Sequence, residues 1–419
     1  MSDNFSTKHE FAEELDKHDV LSKFRDEFIF PEGKDGSCIY FNGNSLGLQP
    51  KSLKSYINIE LEKWAKFGGE AHFKSSHPWV SYNEYVTDSF CKLTGAKSIE
   101  VVAMNTLTAN LHFLLVSFYT PTKSRYKILT GFNPFPSDIY ALKSQVRFHG
   151  YNPADAIIEL EAVDEIVSFD EIKHKIERYG DQIALILIGG VNYYTGQVYD
   201  MAEITKLGHE KGCKVGFDLA HAVGNVELNL HDWNVDFAVW CNYKYINSGP
   251  GNIGGAFVHE KYMMDLDLHR FAGWWGHNKE KRFLMEPDFD PIPGAEGWQV
   301  SNPSILGLAA LRSSLEIFDQ ADFILLLNKS RKMWDYMKYL INELLNDKVK
   351  ILTPANQHGC QLSLVFPNKG REIYNSLTNK GVYCDWREPN VIRIAPVPLY
   401  NSFMDCYNFV NIIKQLINE

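Results

Sequence analysis

Paired cysteines, an excess of basic residues, long apolar runs and internal repeats are all missing from this sequence. The seven cysteines (Cys38, Cys91, Cys213, Cys241, Cys360, Cys384 and Cys406) are scattered, odd in number and never spaced as CxxC. That excludes a disulfide framework or a zinc knuckle, gives no reason to expect a metal, and fits a reduced, cytoplasmic setting. Lys and Arg total 42 against 52 Asp and Glu, and the net charge of -10 disfavours non-specific attraction to nucleic acid or an anionic membrane. Any anion bound here needs a local site. The most apolar stretches, such as Ile183 to Ile188, fall far short of the ~20 residues that a membrane-spanning helix needs. The first thirty residues put charges every few positions and hold no apolar segment, so they read as an amphipathic helix rather than a secretory signal.

What is present is a composition able to build a large core: 419 residues, 45% hydrophobic and 13% aromatic, enough for about two to three domains. From Lys51 to Ala256, short aliphatic runs alternate with amphipathic stretches, the pattern of a layered α/β domain. Strands are expected at Arg125 to Thr130, Ile183 to Ile188, Lys214 to Phe217, Asp236 to Trp240 and Gly254 to His259. Helices are expected at Pro50 to Phe67, Ser81 to Leu93, Leu107 to Phe118, Ser137 to Phe148 and Met201 to Lys211. After the Gly- and Pro-containing loop from Glu286 to Gly297 the texture changes. Long helices at Ser304 to Asp319 and Ala321 to Leu345 precede strands at Gly359 to Phe366 and Val391 to Ala395 and a helix from Phe403. The expected division is a large domain over residues 46–303 and a smaller α+β domain made of 1–45 and 304–419, joined because termini often lie together.

The chemistry concentrates in Val215-Gly-Phe-Asp-Leu-Ala-His221 and Val235-Asp-Phe-Ala-Val-Trp-Cys-Asn-Tyr-Lys-Tyr245, which put an Asp at the end of one strand and a Lys after the next. Both would face the crevice at the carboxyl ends of the strands, where α/β sheets bind ligands. An amine that can form an imine, beside a carboxylate that keeps a pyridine nitrogen protonated, is the pair that pyridoxal phosphate (PLP) requires. Taken singly, Asp218 reads as a helix cap and Lys244 as a surface lysine. Tyr243, Tyr245 and the glycine-rich segment Asn247 to Gly255 set Lys244 apart from exposed lysines. A phosphate would need backbone N–H groups or hydroxyls at a helix start. The segment Val101 to Asn110 offers a short strand, two threonines and a helix, with Thr106 as an N-cap in the plainer reading. Asn133 to Asp138 is a rigid turn into a second helix, with Phe135 either stacked on a ligand ring or buried in the core, and Ser137 as its plain N-cap. Arg393 alternates with aliphatic residues in a strand and is either a buried salt bridge or a bidentate clamp for a carboxylate.

Together, Phe41-Asn-Gly-Asn-Ser-Leu-Gly-Leu-Gln-Pro50, Asn105-Thr-Leu-Thr-Ala-Asn-Leu-His112, Phe135-Pro-Ser-Asp138, Asp218-Leu-Ala-His-Ala-Val-Gly-Asn225, Tyr243-Lys-Tyr245, Gly273-Trp-Trp-Gly-His277, Ser301-Asn-Pro303 and Arg393-Ile-Ala-Pro-Val-Pro-Leu-Tyr-Asn401 resemble the kynureninase family. The resemblance spans nearly the whole chain. It implies a fold-type I PLP-dependent enzyme, usually a homodimer, with a mainly parallel seven-stranded sheet in its large domain. It also implies hydrolytic Cβ–Cγ cleavage of L-kynurenine or L-3-hydroxykynurenine to an anthranilate and L-alanine, in tryptophan degradation or NAD synthesis. Carried onto this chain, the resemblance puts Leu107 and Thr108 at the phosphate, Phe135 on the ring with Ser137 and Asp138 beside it, and Asp218 at the pyridinium nitrogen with His221 close by. Tyr243 would bond the phosphate and move a proton, and Lys244 would be the imine lysine and the base. Trp274 and Asn302 would complete the cofactor pocket, some contacts coming from the partner subunit. His277 and Arg393 look like substrate contacts, Arg393 on the carboxylate. His72, Ser301 and Asn302 match the variant that prefers the 3-hydroxy substrate, with His77 a rival for the place of His72.

Two other readings share parts of this pattern. A cysteine desulfurase or class V aminotransferase would also carry the Asp218 and Lys244 pair, but no cysteine here lies in an obvious loop motif. A non-catalytic PLP-fold binding protein has no need to retain Lys244, Asp218 and Arg393 together.

Overall fold

The computed structural model describes residues 5–33, 38–265 and 267–418. Five aliphatic runs form strands whose ends lie within two residues of those expected, and two further strands join them in one sheet. In chain order these are β1 (Val101–Met104), β2 (Lys127–Thr130), β3 (Ile157–Glu159), β4 (Ile183–Gly189), β5 (Lys214–Asp218), β6 (Phe237–Cys241) and β7 (Gly254–Val258). Their spatial order is β1-β7-β6-β5-β4-β2-β3, and only β7 runs against its neighbours. This is the mainly parallel seven-stranded sheet that the resemblance implies.

The central strand explains why its sequence shows no polar alternation. Ile186 and Ile188 enter one core layer and Leu185 and Leu187 the other, so both faces are covered by helices and both need apolar side chains. Helices α1 (His9–Lys17), α2 (Leu53–Phe67), α3 (Leu107–Phe118), α4 (Pro136–Phe148), α5 (Ile305–Ala321), α6 (Phe323–Leu345) and α7 (Phe403–Asn418) carry most of the remaining packing. The expected amphipathic helix over the first thirty residues is only α1, followed by a 3-10 turn at Ser22–Glu27; its first four residues lie outside the described residues. The helix expected at Ser81 to Leu93 is split into a 3-10 segment, Trp79–Val86, and an α-helix, Thr87–Thr94. The buried Glu60 carboxylate accepts from Trp79, Tyr82 and Lys63 and draws the first part into a tighter turn.

A second, antiparallel sheet holds β8 (Lys350–Ile351), β9 (Leu362–Val365), β10 (Asp385–Arg387) and β11 (Val391–Ile394) in the order β8-β9-β11-β10. β8 and β10 escape a periodicity reading because two or three residues show no period. This sheet packs with Met333 to Leu345 of α6, with α7 and with Ala12 of α1 in a separate core. The two termini meet where Asp16 accepts the N–H groups of Phe403 and Met404 at 2.7 and 2.9 Å, capping α7. Helix α5 packs instead on α2, and its Leu308, Leu311 and Leu315 join the core of the large sheet. Among the described residues, no helix is long and apolar enough to cross a membrane.

Candidate active site

The carboxyl ends of the parallel strands open into a cavity of about 220 Å³, lined by segments that follow β1, β2, β4, β5 and β6. Asp218 ends β5, and Lys244 lies three residues beyond the end of β6. Register pairs Asp218 with Val239, so adjacent strands deliver the carboxylate and the amine side by side. The Asp218 Oδ1 accepts the Ala220 N–H at 2.7 Å, which fixes the carboxylate in a turn rather than at a helix cap. Lys244 makes neither a hydrogen bond nor a salt bridge among the described residues; its ammonium lies 5.9 Å from the Phe135 ring centroid and 6.0 Å from that of Tyr243. The turn carrying it is held from outside, because Gly47 donates to the Tyr243 carbonyl at 2.9 Å. A Cβ at residue 47 would fall 2.3 Å from the Lys244 carbonyl oxygen, so this close approach requires glycine.

Helix α3 starts at Leu107 behind Thr106, whose side chain makes no capping bond. The first N–H groups of that helix are therefore left for another acceptor. Helix α4 is entered through Phe135 with Pro136 at its first position, which places Ser137 one residue inside the helix and not at its cap. The Ser137 hydroxyl instead meets Thr108 Oγ1 at 2.8 Å, joining the two helix starts. Phe135 is 43% exposed, so it is no core residue, and its ring stands edge-on to Tyr193 at 5.3 Å.

The electrostatics of this cavity are dominated by burial. Asp138 and Asp218 are both buried and both raised above the usual carboxylate range by that burial. The Asp218 charge lifts Asp138 further, whereas the Ala220 N–H and Lys244 draw Asp218 back. His221 is held well below its ordinary value by burial and then by the Lys244, Arg393 and Arg387 charges, and is neutral at pH 7. Burial and the neighbouring Cys241 push the Tyr243 hydroxyl up, so it stays protonated. Asp138 Oδ1 and His221 Nδ1 are buried with no hydrogen-bond partner among the described residues. An uncommitted amine, a buried carboxylate, two orphaned polar atoms and a pair of uncapped helix starts with hydroxyls fit a cationic ring that carries a phosphate. The residues present therefore suit PLP.

Of the residues singled out in the sequence, the cavity brings together Leu107, Thr108, Phe135, Ser137, Asp138, Asp218, His221, Tyr243 and Lys244. Arg393 borders it from β11: its Nη1 donates to the carbonyl of Tyr193, a lining residue, at 2.5 Å, and its Nη2 bonds Asp385. The remaining candidates are not part of this cavity in a single chain. Trp274 is 42% exposed, Ser301 and Asn302 are exposed, and His72 contacts Gly69 and Trp79. His77 stands edge-on to Tyr85. His277 is buried away from Lys244, its Nδ1 accepting the Asp290 N–H at 3.0 Å. The sequence reading missed Asn192, Tyr193 and Tyr199, which line the cavity after β4. The rule that found Asp218, position just past a parallel strand, would have found Tyr193 too. Away from the cavity, Glu100, His231 and His259 bring ligand-type atoms within 4.8 Å of one another at the amino end of β1. Their polar atoms are already engaged with each other and with the N–H groups of Lys97, Glu260 and Lys261.

Solved structures share this architecture. A cysteine desulfurase from Thermococcus onnurineus superposes with a TM-score of 0.74 at 16% identity, covering 91% of this chain and 95% of that one. A C-DES variant with glycine covalently linked to its PLP cofactor gives 0.76 at 15% identity, over 90% and 96% of the two chains. The fold is that of the fold-type I PLP-dependent enzymes. Sequence relatives narrow this: a kynureninase from Flavobacterium psychrophilum is 53% identical over 99% of both chains, and one from Myxococcus xanthus is 52% identical over 98% of this chain and 97% of its own. Residues 326–413 match the family described as kynureninase C-terminal domain. The chain belongs to the kynureninase family, which sets aside the desulfurase and aminotransferase readings.

Proposed function

We propose that this protein is a PLP-dependent hydrolase that cleaves the Cβ–Cγ bond of L-kynurenine and L-3-hydroxykynurenine, releasing an anthranilate and L-alanine. The observation that carries the reading is the juxtaposition of buried Asp218 and unpaired Lys244 in a cavity bordered by the buried Arg393. Leu107, Thr108 and Ser137 would hold the phosphate through backbone N–H groups and hydroxyls, Phe135 would cover the ring, and Asp218 with His221 would contact its polar edge. When bound, PLP supplies an electron-accepting ring that stabilises negative charge on substrate carbons.

The chain's own groups do the rest. Lys244 would hold the cofactor through its amine, and the same amine, once free, would move the Cα proton. Asp218 would keep negative charge beside the ring, with the buried Asp138 next to it. Tyr243, held protonated, donates its proton at the substrate side chain as water attacks the γ-carbonyl and the anthranilate leaves. Arg393 orients the α-carboxylate with its fork.

Trp274 and Asn302 complete the pocket in a homodimer, reaching the cavity of a second copy, and His72, Ser301 and His277 contact the substrate ring there. Exposed Trp274, Phe73 and Phe283 support this, since they cluster with centroid spacings of 5.5 and 5.6 Å and form an apolar patch. His72, Ser301 and Asn302 favour the 3-hydroxy substrate. The free state of all seven thiols and the acidic net charge support a cytoplasmic enzyme without nucleic-acid or membrane partners. A fluorescence assay of anthranilate release with both substrates tests the reading. Release from each, faster at low concentration for the 3-hydroxy form, is expected; release from neither sinks it.

A further inference from the structure

Asp385 is the partner of Arg393 and has no part in the reaction just described. It stands directly opposite Arg393 on the neighbouring strand, and its Oδ2 accepts from Arg393 Nη2. The same oxygen lies 3.0 Å from Arg387 Nη2. Arg393 is enclosed, with 1% of its side chain exposed, whereas Arg387 is 36% exposed. Each guanidinium also keeps a buried Nε without an acceptor among the described residues. Both positive charges act on His221 inside the cavity. Two forks with spare donors thus share one carboxylate oxygen, and Arg393 is joined to the cavity through the Tyr193 carbonyl.

We propose that Asp385 is an internal competitor for the substrate's α-carboxylate: it occupies the Arg393 fork before substrate enters, gives it up to the incoming carboxylate, and stays anchored by Arg387. This rests on the reading of the substrate as an α-amino acid. A guanidinium fork binds a carboxylate bidentately whichever molecule supplies it, and an unpaired Arg393 would be a buried, uncompensated charge. Asp385 removes that cost between turnovers. The competition lowers the fraction of molecules in which the fork is available, and apparent substrate affinity falls by that fraction. A ligand without a carboxylate cannot displace Asp385, so the pair also screens what enters. Asp385 is a positioning residue in this scheme.

Asp385→Asn keeps an acceptor for the fork and removes its charge. In the holoenzyme, KM for kynurenine is expected to fall by about three- to tenfold while kcat stays within about twofold. Binding of L-alanine, followed by the cofactor's absorbance, tightens by the same factor, whereas L-alaninamide, which has no carboxylate, binds unchanged. Asp385→Glu restores the wild-type constants. Arg387→Gln, at a partly exposed position, removes the second anchor and weakens alanine binding without affecting alaninamide. A KM that rises in Asp385→Asn, equal shifts for alanine and alaninamide, or alanine binding unweakened in Arg387→Gln each overturn the proposal. Absence of kynurenine cleavage by the wild-type protein counts against the proposed function instead, because the alanine and alaninamide comparison does not depend on turnover.

Discussion

Lys244 owes its freedom to its neighbours. The chain reverses after β6 on Asn242, which donates to the Ile253 carbonyl at 2.8 Å and accepts from Trp240 at 3.0 Å, and the amine is left with no partner in its own turn. Lys244→Ala is expected to reduce kcat by more than about 10³-fold, since it removes both attachment and base; anthranilate release measures it. For Tyr243→Phe the expected loss is about 10²-fold or more in kcat with KM little changed. A KM effect alone would remove the proton role. Much of this was legible from residue order, because Asp218 and Lys244 each follow a recognisable strand. Asp385 and Arg387 were not, since their meaning lies in the register that sets Asp385 against Arg393.

At the scale of elements, the start of β6 is pinned by Asp236. Its carboxylate accepts from the Val215 N–H at 2.6 Å and from His209 at 2.8 Å on one oxygen, and from Tyr262 at 2.6 Å on the other, which also lies 2.8 Å from the Lys261 ammonium. Burial alone would raise this group, but the His209 bond and the Lys261 charge hold it well below the ordinary carboxylate value. Its contribution to stability is therefore full above about pH 4, the unfolded value, and is lost as pH falls toward the folded value. Asp236→Asn should destabilise the protein by about 3 kcal/mol at pH 7. The gap between wild type and variant in urea unfolding should narrow toward pH 2, and a constant gap would refute the linkage. A second element boundary is Asp322, in the left-handed region at φ 62°, which ends α5 and caps α6 through the Ile324 and Leu325 N–H groups. Asp322→Ala loses both the cap and a residue that tolerates this conformation, and should cost about 1–2 kcal/mol by thermal or urea unfolding. Helix periodicity located both helices, but it placed their junction at Gln320, two residues early, because it does not register caps.

At the scale of the whole molecule, some of the residues singled out in the sequence face outward. Ser301 and Asn302 are exposed, as is Trp274 beside apolar Phe283 and, through it, Phe73, while the cavity around Lys244 is lined by one chain's strand ends. If the second copy completes that cavity, light scattering should return twice the 48.0 kDa chain mass. Phe283→Glu should then weaken association and activity together, with activity recovering at high protein concentration. A fully active monomer would place these residues outside the reaction.

The sequence by itself determined the parallel sheet, the strand-end Asp218 and Lys244, and the chemistry such a pair can carry. Hydrophobic period and strand order are local signals, and the catalytic rule depends only on position past a strand. Only the tertiary structure decided that burial raises Asp138 and Asp218 together, that Tyr193 joins Arg393 to the cavity, and that Asp385 shares its charge between two arginines. Those depend on burial and on contacts between residues far apart in the chain, such as Tyr193 and Arg393, and no local pattern encodes such a distance.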